Sequence, residues 1–190
     1  MKNEGFTLIE LVVAIGVSVL ISSIMLANFP DFNRRLDLSR TAQSVALSFR
    51  RAESAALAVR EFGSLAFPAY GLHFENLPAK SYIFFADLDG DYKNPEAEGL
   101  YDGLDEKVDT FIINTAPVIE KLCVSVKTSP PGDCSINRLD VVYARPNPDI
   151  YISTDKGEFT DAAVVMRLPT GEEKQIVIWT TGQLYIESTE

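Results

Sequence analysis

From Leu11 to Pro30 the sequence LVVAIGVSVLISSIMLANFP carries no Asp, Glu, Lys or Arg. As a helix, such a run crosses the hydrocarbon core of a bilayer, which needs about 20 apolar residues. It begins almost at the N-terminus, so a cleaved secretory signal is the first alternative. That kind of signal puts basic residues directly before a short apolar core and small residues at a cleavage site after it. Here Lys2 is the only Lys before the core, the run is long, and Met25 stands two positions before Ala27, where a second small residue would be needed. The reading is a retained span.

Just before the uncharged run stands Glu10. A carboxylate in hydrocarbon is costly unless neutralised or paired. No Lys or Arg follows on the same helical face within the span. Two readings stay open: Glu10 lies shallow among headgroups, or it pairs with a positive group supplied from outside its own helix.

Beyond the span, Leu38, Ala42, Val45, Phe49, Ala52, Ala56 and Val59 recur at alternating spacings of four and three. That is the stripe of an amphipathic helix. Arg34, Arg35, Arg40, Arg50, Arg51 and Arg60 largely avoid it, and Pro30 marks a kink or a restart between the two segments. Helical throughout, Phe6 to Arg60 extends about 80 Å at roughly 1.5 Å per residue. From Gly63 onward the period becomes that of strands. Candidates are YGLHFE, SYIFFAD, VDTFIIN, VIEKLCVSV, RLDVVYAR, DIYIS, DAAVVMRL, KQIVIWT and GQLYIES, separated by Pro, Gly, Asn and Asp. The pairs joined by PTGEE and TTGQ read as antiparallel hairpins. No helices alternate with these strands, which argues against a doubly wound nucleotide-binding fold. The expected class is α+β: a long N-terminal helix, membrane-spanning in its first half, packed on a mostly antiparallel β domain.

Charge is segregated along the chain. Residues 1–60 carry seven Lys/Arg against five Asp/Glu, a net +2, and residues 61–190 carry ten against twenty-two, a net −12. The acidic domain is not expected to bind nucleic acid. The two cysteines, Cys123 and Cys134, flank a Pro-Pro-Gly turn. Outside the cytoplasm they would form a disulfide, which stabilises by roughly 3 kcal/mol in the chain-entropy model; the alternative is two buried thiols.

Other candidate sites are weaker. In DLDGDYKNPEAE, Asp87, Asp89, Asp91 and Glu98 fall on calcium-loop positions one, three, five and twelve. Tyr92 occupies the position that wants Gly, strands rather than helices flank the loop, and a solvated acidic hairpin connection is the competing reading. Asp102, Asp105 and Glu106 are further oxygens if the loop folds back. His73, the only histidine, reads as a polar strand position, and Trp179 as core or hairpin packing. No G-x-S-x-G, H-E-x-x-H or phosphate-binding glycine loop is present. No enzymatic activity is expected, and no cofactor beyond that possible calcium.

The N-terminal MKNE followed by GFTLIELVVAIGVSVLISS resembles the class III leader and helix start of type IV pilins and type II secretion pseudopilins. The resemblance implies a leader of residues 1–5, cut after Gly5 by a prepilin peptidase on the cytoplasmic side, with methylation of the new amino group of Phe6. It also implies that Glu10 registers subunits, by pairing with the terminal amine of a neighbour or by neutralising its own. Cleavage would create the cation that the span lacks. The helix with its Arg and Ala, then YGLHFE, SYIFFADLDGDY and a late IVIWTTGQLYIE, looks like the GspH/FimT-like minor pilins and pseudopilins, in which a long helix packs on a two-sheet domain. Pro30 departs from the family's pattern by lying slightly beyond the usual kink position.

The expected organisation is therefore a leader at 1–5, a transmembrane assembly helix at 6–29, its amphipathic continuation at 30–61, and an extracytoplasmic β domain at 62–190. The expected function is structural, as a minor subunit of a pilus or secretion-like filament. Its expected partners are other pilin subunits, the prepilin peptidase and an inner-membrane assembly platform. The competing class is a single-span anchored binding or adhesion module that never polymerises, and a third is an anchored hydrolase.

Overall fold

The computed structural model describes residues 7–58, 61–62, 65–66, 68–88, 90, 101, 106–145 and 149–189. The chain divides into two compact units, Met1–Leu36 and Asp37–Glu190. Helix α1 runs Leu8–Leu57 with Pro30 inside it. A proline removes one amide from the helical ladder, yet the helix continues on both sides.

Within the first unit, every large apolar side chain from Leu8 to Leu26 is exposed. Within the second, Leu38, Ala42, Val45, Phe49, Ala52 and Ala56 are each at most 3% exposed, the stripe that the four-three spacing marks out; Val59 lies outside the described residues. Phe49 stacks on Phe74 with ring centroids 5.7 Å apart, and the Ser48 and Tyr82 hydroxyls share a hydrogen bond of 2.8 Å. Full burial of one such aromatic or aliphatic side chain contributes about 1.5–3 kcal/mol. The stripe thus fixes the helix to its domain.

The periodicity carries the helix to residue 61, but it ends at Leu57. The reason is local competition: Glu61 and Phe62 of β1 (Glu61–Phe62) are paired with Ala66 and Leu65 of β2 (Leu65–Ala66). Eleven further strands build two sheets. β3 (Ala69–Phe74), β4 (Ser81–Asp87), β5 (Glu106–Ile112), β8 (Leu139–Ala144), β9 (Asp149–Thr154) and β10 (Gly157–Glu158) form one, in the order β10-β9-β8-β3-β4-β5. β6 (Val118–Val124), β7 (Asp133–Ile136), β11 (Asp161–Arg167), β12 (Glu173–Trp179) and β13 (Leu184–Ser188) form the other, in the order β13-β12-β11-β6-β7. All pairings among the described strands are antiparallel. The fold is α+β and pilin-like, as expected. The nine candidate strands correspond to β3, β4, β5, β6, β8, β9, β11, β12 and β13. β7, which straddles Cys134, is only four residues long, and β1, β2 and β10 are too short to show a period.

One main core draws on the helix and on both sheets, including Leu72, Phe74, Leu122, Val141, Val164 and Ile176. Each sheet also covers part of its opposite face. On the six-stranded sheet Phe85, Val142 and Ala144 are buried with Tyr101 and Tyr151 packed against them. On the five-stranded sheet Cys123, Ala163, Val165 and Val177 are buried with Trp179 and Tyr185 beside them. This two-faced burial is why β3 and β8 are buried at every position, the polar His73 and Asp140 included. Gly71 of β3 lets the Phe85 ring rest on the backbone: a Cβ there would lie 2.6 Å from Phe85 Cζ.

Candidate functional site

Helix α1 opens with a reciprocal cap. The Thr7 N–H and hydroxyl both donate to Glu10 Oε2, at 2.9 and 2.7 Å, and the Glu10 N–H donates to Thr7 Oγ1 at 3.3 Å. This is the capping box, in which a Thr and a residue three positions on satisfy each other's orphan amides. The helix dipole also favours a negative charge in the first turn. Among the described residues Oε1 has no partner, so the carboxylate keeps an acceptor for a group from outside. The pattern T-x-x-E before an apolar run, the signature of this cap, is visible in the sequence. Gly5 and Phe6, the expected cleavage and methylation positions, lie outside the described residues.

Along the span, the hydroxyls of Ser18, Ser22 and Ser23 donate to the carbonyls of Ala14, Ser18 and Val19, each at 2.8 Å. A hydroxyl bonded to the carbonyl four residues back needs no water. The segment is long and apolar enough to cross a membrane.

The remaining expected site residues fall elsewhere. Cys123 and Cys134 form a disulfide, tying the edge strand β7 to β6. The enclosed turn is held from below by buried Asp161, whose carboxylate accepts the Lys127 N–H at 3.0 Å and the Thr128 hydroxyl at 2.7 Å. Gly132 closes that turn at φ +84°, and a Cβ there would meet the Val124 carbonyl oxygen at 2.7 Å. Asp87 of the possible calcium loop is buried, and its Oδ1 accepts the Gly90 N–H at 2.6 Å. Asp89, Asp91 and Glu98 lie outside the described residues. No group of three or more His, Cys, Asp or Glu able to hold a metal occurs among the described residues.

His73 is a polar strand residue that is buried, 3% exposed, on the second face of its sheet. Its Nδ1 lies 2.5 Å from Asp140 Oδ1, its ring lies 4.8 Å from that of Tyr101, and Arg138 Nε lies 3.3 Å from Asp140 Oδ2. This polar group cross-links β3 and β8. At the surface, hydrogen bonds from Lys156 and Ser135 hold the Asp133 carboxyl well below its ordinary range. Lys127 likewise lowers Glu187 and is itself raised by it, across 2.6 Å. Burial pushes the Tyr143 phenol upward.

Residues 1–26 match the family model for the prokaryotic N-terminal methylation motif. The motif supports a type IV pilin-like protein with a prepilin-type N-terminus, and the long helix and antiparallel sheets are consistent with a pilin-like fold. They fit a membrane-anchored, single-pass protein. No curated protein and no solved structure matches the chain.

Proposed function

We propose that this chain is a structural subunit, a minor pilin or pseudopilin of the GspH/FimT-like kind, in a type IV pilus or type II secretion-like filament. The observation that carries the reading is the coincidence of the methylation motif with the exposed apolar segment Leu8–Leu26 of α1, whose first turn presents Glu10. Prepilin peptidase cuts after Gly5, and the Phe6 amine is then methylated. The Thr7 amide belongs to the Phe6–Thr7 peptide bond, so the cut leaves the capping box intact. It adds a cation one residue before Thr7 in the chain, and the Glu10 carboxylate retains a spare acceptor. Copies and other pilin subunits then pack through their N-terminal helices, on an inner-membrane assembly platform, with the β domain outside the cytoplasm. The role is architectural rather than catalytic.

Mass spectrometry of the N-terminus, in membranes and in sheared filaments from native cells, tests this. Chains beginning at methylated Phe6 in the filament fraction are the expected result. Chains retaining residues 1–5 and found only in membranes would sink it in favour of an anchored, non-polymerising binding module.

A further inference from the structure

A cleft of about 290 Å³ opens between the second half of α1 and the chain following edge strand β5. Val45, Phe111 and Ile113 supply its apolar floor, and Arg40, Ser44 and Asn114 its polar rim. Arg40 is an arginine with no partner among the described residues. Arg34, Arg50 and Arg51 reach Asp31, Glu53 and Asp109, and Arg167 reaches Glu120 and Glu173. A guanidinium carries five donors and no acceptor, and suits a carboxylate best.

The walls of the cleft are built in advance. The Thr41 hydroxyl donates to the Asp37 carbonyl at 2.6 Å, so its 2.8 Å contact with Thr115 must be a bond accepted from the Thr115 hydroxyl. Lys80 Nζ donates to the carbonyls of Thr115, Ala116 and Pro117, and the Ile113 N–H donates to the Lys80 carbonyl at 2.7 Å. A preformed pocket lowers the ordering cost of binding. Beside it Ile112 is 65% exposed at the sheet edge, an apolar neighbour for whatever the arginine holds.

Charge identifies the occupant. Residues 37–60 carry four Arg against two Asp/Glu, a net +2, on a body whose residues 61–190 carry −12. Two copies of so acidic a domain repel as wholes, but at physiological salt charges farther apart than about 8 Å are largely screened. Local pairing then decides whether copies hold. We propose that this cleft is the docking site for an Asp or Glu side chain presented by the β domain of a second copy, with Arg40 as its anchor. The inference rests on the subunit reading for bringing copies together, and it adds a contact made by folded domains outside the membrane.

The test uses the full-length Arg40→Lys chain, mixed as equal parts of ¹⁴N- and ¹⁵N-labelled protein, and a carbodiimide that joins amines to touching carboxylates without a spacer. The expected product is a mixed-isotope peptide linking residue 40 to an acidic residue between 61 and 190. Arg40→Glu, exposed and so tolerated by the fold, is expected to weaken self-association about tenfold in sedimentation. Residue 40 linked only within single-isotope peptides, or only to a different protein, or to nothing, would overturn the proposal. So would undiminished association of Arg40→Glu. Filament recovery separates this from the subunit reading. Methylated filaments without the cross-link remove the cleft alone, and the cross-link in chains that never enter filaments removes the filament alone.

Discussion

The two halves of α1 are both rich in apolar residues and obey different physics. From Leu8 to Leu26 the apolar side chains cover the whole circumference, and all the large ones are exposed. From Leu38 to Ala56 they keep to one stripe, and that stripe is buried. The difference lies in charged residues that interrupt the second half and, beyond Glu10, not the first: the stripe they leave needs one partner surface, whereas an all-round apolar helix needs an apolar surrounding. One half therefore completes the domain, and the other awaits lipid or neighbouring helices.

The strongest way to break this comparison is to truncate one large apolar side chain in each half. Phe49→Ala is expected to destabilise the domain by about 3–5 kcal/mol, the usual cost of emptying a core aromatic site. Leu20→Ala should leave the domain's thermal midpoint unchanged, because Leu20 contributes nothing to that core. Comparable midpoint losses from both would show that the halves are not independent.

Removing the disulfide with Cys123→Ser and Cys134→Ser comes next, at about 2–4 kcal/mol. The loss should appear in denaturant unfolding of the domain and be absent when the native protein is compared fully reduced. It should not alter membrane retention, which belongs to the other half of the helix.

The smallest effect is the pH dependence. Asp133 and Glu187 have folded-state carboxyls lowered by Lys156 and Lys127, so their contribution is present above the unfolded carboxylate range and is lost as pH falls through their folded values. Both pairs are at least partly open to solvent, so the effect per pair is small and declines with salt. Melting curves from pH 7 to pH 2 should show the midpoint falling mainly below the ordinary aspartate value of 3.8. Lys156→Met should flatten part of that slope; an unchanged slope would remove Asp133 from the account.

Much of this was legible because it is periodic. The span follows from composition, the buried stripe from spacing, and nine strands from alternation or apolar runs bounded by turn residues. What escaped depends on contacts distant in sequence. β7 is four residues, DCSI, and becomes a strand only because β6 lies beside it. The burial of His73 requires Asp140, which is 67 residues away, and Tyr101 from another connection. Arg40 looks like any other arginine on a polar helix face; its distinction is that Arg34, Arg50 and Arg51 reach carboxylates and Arg40 reaches none among the described residues. Thr7 is the exception, since its partner is only three residues on and the cap was there to be read.

The serine hydroxyls in the span carry one more consequence. Ser18, Ser22 and Ser23 turn their protons back onto their own helix, so moving this segment from lipid into a bundle of helices need break no hydrogen bond and form none. The two surroundings then differ for it mainly in how closely atoms pack. A small change in fit, or in the charge at the first turn, is enough to choose between them. Such a helix can be stored in a membrane and withdrawn from it with little change in its internal bonding.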